Sequence, residues 1–234
     1  MKNFLPPALL IVALTGSAVD ASTPTYLWTE GETPRAMGPA DDWFCGLKLL
    51  QGFFRGAGEG VYISLDTEDA AGRLTLGGRS GVDDLAGEAF CIPASTGTIY
   101  SWSKGQPAVT MGPGEGQVCA LTGVGGHFRG KGEQVRVEVK NGQWTLAGMA
   151  NTDVLNATAA CFPTDAARSF HGWRQGEPVK VLGTAATREC FLLSMAGAFK
   201  GEGERIFLAF EAGEWRLGGA SNQHGVSTSA VCVD

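Results

Sequence analysis

In QVRVEVKNGQWTLAG (134–148), Val135, Val137 and Val139 alternate with polar residues, and Trp144 and Leu146 resume the alternation after Asn141-Gly142. A period of two marks a strand, and Asn-Gly is the favoured two-residue hairpin turn. Closing that turn sets Lys140 opposite Gln143, Val139 opposite Trp144 and Val137 opposite Leu146. Every apolar side chain then falls on one face, as strand register requires. The pattern returns with Ile206, Leu208, Phe210, Trp215 and Leu217. A further strand is predicted where Leu155, Ala157, Ala159 and Cys161 alternate inward, and again at Val226, Thr228, Ala230 and Cys232. The strand carrying the earlier cysteine is less regular. Cys190 and Leu192 share one parity while Met195, Gly197 and Phe199 share the other, which a β-bulge near Leu193 or Ser194 reconciles.

These strands belong to a unit used three times. Trp28, Trp102 and Trp173 precede Cys45, Cys119 and Cys190 by one common interval. Phe54, Phe128 and Phe199 follow those cysteines, then Arg55, Arg129 and Lys200, then Glu59, Glu133 and Glu204. Val61, Val135 and Ile206 come next, and Leu74, Trp144 and Trp215 align once the first copy is given an insertion around EDAA (68–71). Cys91, Cys161 and Cys232 then fall at equal distance from those residues. Such spacing is a tandem repeat of about 72 residues. The units run over 22–95, 96–166 and 167–234.

Each unit holds one early and one late cysteine. The simplest pairing is Cys45–Cys91, Cys119–Cys161 and Cys190–Cys232. A disulfide needs α-carbons within about 7 Å. Either the sheet curls toward closure, or the last strand lies beside the cysteine-bearing first one. The expected fold is all-β: three disulfide-stapled antiparallel units, each a small twisted sheet or partial barrel, with helix content near zero. The Trp-bearing arms (YLWTEG, YSWSKGQP, HGWRQGEP) would add an edge strand or cover an open face. Beads on a string and a closed threefold cluster are both compatible with the repeat.

Each unit also carries a near-identical corner: FFRGAGEGV (53–61), HFRGKGEQV (127–135) and AFKGEGERI (198–206). If the loop were GxG alone, Arg129 would face Glu133 across the apolar side of a hairpin. A loop of GKGE (130–133) instead sets Phe128 opposite Val135, both inward, with Arg129 outward and Glu133 in the turn. There the carboxylate could accept backbone N–H groups or pair with Arg129, and the glycines would supply positive φ. The leading expectation is therefore a hairpin corner with a local ion pair. The alternative is a ligand site used three times, with Arg55, Glu59, Arg129, Glu133, Lys200 and Glu204 as candidates. A phosphate cradle fits poorly, because the loop lacks Walker spacing, leads into a strand and carries an acid.

Composition narrows the setting. The start MKNFLPPALLIVALTGSAVDA reads as a cleaved secretory leader over 1–21, too short for a membrane span. Six cysteines in an exported chain, none of them in a CxxC pair, point to disulfides and away from zinc or redox chemistry. A net charge of −6 argues against a nucleic-acid partner. No span is expected after leader cleavage. A secreted, periplasmic or cell-surface location follows.

Catalytic signals are sparse. His127, His171 and His224 occupy non-equivalent repeat positions, aligned with Phe53 and Ala198, with Tyr26 and Tyr100, and with Asp83 and Asp153. HExxH and GxSxG are absent. The acidic stretch SLDTEDAAG (64–72) departs from an EF-hand loop and reads as a solvated turn. Glu32 and Glu177 align with Gln106, and the missing acid argues against a shared acid–base role. Asn156-Ala157-Thr158 is a formal glycosylation sequon, poorly placed in a strand. No catalytic residue, metal or cofactor is expected. Trp28, Trp102 and Trp173, with Tyr26 and Tyr100, either cap each unit's core or present faces to sugar rings. The expected function is a non-enzymatic multivalent binding or adhesion protein, with a glycan or surface protein as the candidate partner. A structural envelope or extracellular spacer protein is the alternative, and an exported hydrolase stands behind both.

Overall fold

The computed structural model describes residues 24–69, 72–81, 84–151, 154–184 and 186–234. The leader expected over 1–21 lies outside them, as do Ala70 and Ala71 of the insertion and the aligned Asp83 and Asp153. Every regular element among the described residues is a strand. The first unit supplies β1 (Thr25–Thr29), β2 (Arg35–Pro39), β3 (Trp43–Gln51), β4 (Arg55–Leu65), β5 (Arg73–Arg79) and β6 (Ala86–Pro93). The second supplies β7 (Ile99–Ser103), β8 (Val109–Pro113), β9 (Gln117–His127), β10 (Arg129–Lys140), β11 (Gln143–Met149) and β12 (Leu155–Pro163). The third supplies β13 (Arg168–Arg174), β14 (Lys180–Thr184), β15 (Glu189–Ala198), β16 (Arg205–Glu211), β17 (Glu214–Ala220) and β18 (Ser227–Val233).

These strands form three six-stranded antiparallel sheets, ordered β1-β6-β3-β16-β17-β14, β2-β5-β4-β9-β12-β7 and β13-β18-β15-β10-β11-β8. Each unit gives its first, sixth and third strands to one sheet and its fourth, fifth and second strands to another. A unit is thus two three-stranded halves around a shared core, and each half is completed by a neighbour. The exchange runs through β4–β9, β10–β15 and β16–β3, so the ring closes about an approximate threefold axis. Of the two arrangements the repeat allows, the closed cluster is the one formed.

Local expectations hold in detail. Lys140 pairs with Gln143, Val139 with Trp144 and Val137 with Leu146. Leu65 pairs with Leu74 as Val139 does with Trp144, so the first copy's insertion lengthens the β4–β5 turn. The bulge in β15 falls at Leu193, with Leu192 opposite Ala230 and Ser194 opposite Ser229. The same bulge recurs at Lys48 in β3 and Thr122 in β9. The last strand of each unit lies directly beside the cysteine-bearing one. Cys45–Cys91, Cys119–Cys161 and Cys190–Cys232 bridge opposite residues at Cα separations of 4.0, 3.9 and 4.1 Å. That closeness is the geometry of a non-hydrogen-bonded antiparallel pair. Three disulfides are compatible with an oxidising compartment. Among the described residues no helix is long and apolar enough to cross a membrane.

The arms pair as edge strands: β1 with β6, β7 with β12 and β13 with β18. Their tryptophans turn inward across the two halves of their own unit. A Cβ on Gly78, Gly148 or Gly219 would lie 2.4, 2.3 or 2.5 Å from the ring of Trp28, Trp102 or Trp173. Those glycines are therefore the floor on which each ring rests. Along the axis the cysteine-bearing strands β3, β9 and β15 touch one another. Phe44, Phe162 and Phe191 meet with centroid separations of 4.5–5.5 Å. Large residues there are matched by small ones, since a Cβ on Gly46 would come within 2.6 Å of Phe191.

Candidate functional site

The three corners do not form hairpins. β9 pairs with β12 and β4, and β10 with β11 and β15, so the strands on either side of Phe128 have no ladder between them. One residue separates β9 from β10, too few for a reversing turn, and the chain crosses from one sheet into the next. The bend itself is upstream. Gly52, Gly126 and Gly197 have φ of 101°, 110° and 107°, a left-handed conformation that favours glycine. The glycines of the GxGE corners lack positive φ.

At the crossing, Phe54, Phe128 and Phe199 converge on the axis. Their rings pack edge-to-face with centroids 5.8, 5.9 and 6.0 Å apart, all fully buried. Their backbones close a cycle. Phe128 N–H donates to Phe54 C=O at 2.8 Å, Phe199 N–H to Phe128 C=O at 2.9 Å, and Phe54 N–H to Phe199 C=O at 3.0 Å. Such ring pairs contribute about 0.5–1.5 kcal/mol each beyond area burial.

The residue after each phenylalanine points outward, as expected from parity. Arg55, Arg129 and Lys200 are exposed and, with His127 and Phe54, line one cleft of about 410 Å³ at this end of the axis. Arg55 pairs with His127 in the β4–β9 ladder, and Arg129 with Ala198 in the β10–β15 ladder. The Arg55 guanidinium lies over the Phe53 ring, 5.2 Å from its centroid. Among the described residues none of the three bases forms an ion pair, so the expected Arg129–Glu133 bridge is absent.

The glutamates turn the other way. Glu59, Glu133 and Glu204 are buried, and their carboxylates fold back on the first glycine of each corner. Gly130 N–H donates to Glu133 Oε2 at 2.6 Å, and Asn222 N–H donates to Glu204 Oε1 at 3.3 Å. A Cβ on Gly56 or Gly201 would crowd the carboxylate at 3.2 or 2.9 Å, whereas at Gly130 the 3.7 Å separation is an ordinary contact. Glu133 thus ties its own corner and Glu204 reaches Asn222, while Glu59 Oε2 and Glu204 Oε2 are buried without a hydrogen-bond partner among the described residues; the bases face solvent. His127 titrates below the ordinary histidine range, first because it is partly buried and next because Arg129 lies near; Glu133 and Glu59 oppose this and Lys200 adds to it.

The remaining candidates do not join the cleft. Trp28, Trp102 and Trp173 are 2–3% exposed, and their Nε1–H groups donate to the carbonyls of Glu32, Gln106 and Glu177 at 3.0–3.1 Å. Their faces lie in the core, where no sugar ring reaches. The Glu32, Gln106 and Glu177 side chains accept the N–H of Thr29, Ser103 and Arg174, so an amide oxygen serves as well as a carboxylate. His171 Nε2 contacts Ser169 Oγ at 2.9 Å, and His224 is exposed. Asp66 accepts the Glu68 N–H, Asp69 pairs with Arg73 at 3.1 Å, and Asn156 accepts from the Tyr62 hydroxyl at 2.7 Å. Compared with family models, curated proteins and solved structures, the chain has no match, so its function is to be read from this geometry.

Proposed function

We propose that the chain is an exported or cell-surface binding protein without catalytic activity, and that the axial cleft is where it takes an anionic group. The observation that carries this is the convergence of Arg55, Arg129 and Lys200, one from each unit, with no ion-pair partner among the described residues. Like charges gathered in one cleft repel, and a bound anion removes that cost. The chain as a whole is acidic, with net charge −6, which makes a local cationic cluster more selective. Catalysis would need a convergent acid and base. The acids nearest the cleft are instead buried: Glu133 accepts from Gly130 N–H and Glu204 from Asn222 N–H, and among the described residues none of the three forms an ion pair with a cleft base. Multivalency on this reading lies within one composite site, each unit contributing one base.

The test compares wild type with a variant combining R55Q, R129Q and K200Q on a glycan array holding neutral, carboxylated, sulfated and phosphorylated members. Wild type should bind acidic members in a salt-sensitive way and the triple variant should lose that binding. Wild type that binds no acidic member would sink the reading and leave a spacer role.

A further inference from the structure

We infer that the group taken by the axial cleft is a terminal tetrahedral oxyanion, a sulfate or phosphate monoester directed along the axis, an inference that rests on the anion-binding reading above. The cleft is a tripod: its three bases follow three equivalent phenylalanines whose centroids lie 5.8–6.0 Å apart. A monoester presents three terminal oxygens around its own threefold axis, with the ester bond pointing out to solvent. Each oxygen can then meet one base through a charge-assisted hydrogen bond. A carboxylate is planar and has two oxygens, which leaves one base unmatched.

The floor points the same way. The three phenylalanine N–H groups are spent on one another, and the Gly130 N–H on Glu133. Those four N–H groups are not open to a ligand, and Arg and Lys side chains donate without accepting. A neutral sugar hydroxyl would find donors in excess of acceptors, whereas an oxyanion accepts at every oxygen. The rim is mixed: the exposed residues at the variable corner position are Ala57, Lys131 and Glu202. No basic track leads away along these three positions, which suits one terminal group better than a polyanion. The cleft, at about 410 Å³, leaves room for part of the residue carrying the group.

Calorimetric titration of the full chain with glucose 6-sulfate, glucose 6-phosphate, glucuronate, glucose and inorganic sulfate tests this. Both monoesters should bind about tenfold or more tightly than glucuronate, and glucose should give no signal. R129Q and K200Q should each cost about tenfold in monoester affinity. Both positions are exposed, and unchanged thermal unfolding would verify that each variant folds. Glucuronate binding as tightly as the monoesters would overturn the tetrahedral assignment while leaving anion binding intact. Wild type that binds none of the four anions would overturn both. Inorganic sulfate binding as tightly as the esters would support the tripod and show that the carrier adds nothing. Pelleting with vesicles containing phosphatidic acid, set against phosphatidylglycerol, separates a lipid carrier from a glycan one. Pelleting with the first alone supports a lipid monoester, and pelleting with neither, alongside sugar-monoester binding, supports a glycan one.

Discussion

Ala212 has φ of 52° at the turn position that Asn141, also at φ 52°, occupies in the second unit. Alanine in the left-handed region is strained by about 1–2 kcal/mol, while asparagine tolerates it better. Ala212→Asn should therefore stabilise the chain by about 0.5–1 kcal/mol in urea unfolding. Gly148→Ala should do the reverse, costing about 1–3 kcal/mol, because its methyl would meet the Trp102 ring at 2.3 Å. Gly172→Ala, where the nearest atom is 3.9 Å away, is the matched control. His127 carries a pH prediction. Its folded pKa is depressed, so the unfolded chain binds its proton first as pH falls. Stability should accordingly drop as pH falls through about 6.5, the unfolded value, until the folded form also titrates. His171 is depressed too, by burial and then by Arg188 and Lys180, and adds to the same slope. Thermal midpoints between pH 8 and 5 should flatten when both are replaced by alanine. An anion in the cleft favours protonated His127, so sulfate affinity should rise as pH falls through the same range.

At the scale of elements, the cysteine-bearing and final strands form a ladder that the bridges staple between opposite residues. Replacing Cys119 and Cys161 together by serine opens a loop with a sequence separation of 42 and should cost about 3–4 kcal/mol. Equal unfolding midpoints for the variant and wild type would contradict this. The ladder itself was legible in sequence, since alternation and equal cysteine spacing are local signals. So was the bulge at Leu193, because a parity break must be absorbed within one or two residues. The corner was legible only in part. Phe128 inward and Arg129 outward follow from parity alone. The crossing does not, because parity says which face a residue takes but not which strand lies beside it.

For the whole molecule, each unit depends on its neighbours. β9 and β10 are 11 and 12 residues long, and each would lose one partner strand if the second unit stood alone. Long unpaired edges are unstable and prone to association. A fragment spanning 96–166 should therefore show no cooperative unfolding by circular dichroism, even with its disulfide formed. A sharp two-state transition in that fragment would show instead that the ring is an assembly of independent units.

The sequence by itself determined the all-β class, the triple repeat and the register of the Asn141-Gly142 hairpin, and made pairing of the cysteines within units the simplest choice. Each is written in spacing or in a period of two, and both survive any arrangement of the units. Partner choice between units was decided by tertiary structure alone. Near-identical repeats make a strand's pairing within its own unit and with the next unit look alike in sequence. The single residue between β9 and β10, with the bend at Gly126, excludes the hairpin and sends the chain across to another sheet. That crossing carries Arg55, Arg129 and Lys200, far apart along the chain, to one cleft. Packing within each unit settles the tryptophans: their rings are buried against Gly78, Gly148 and Gly219, and their ring nitrogens donate to backbone carbonyls there.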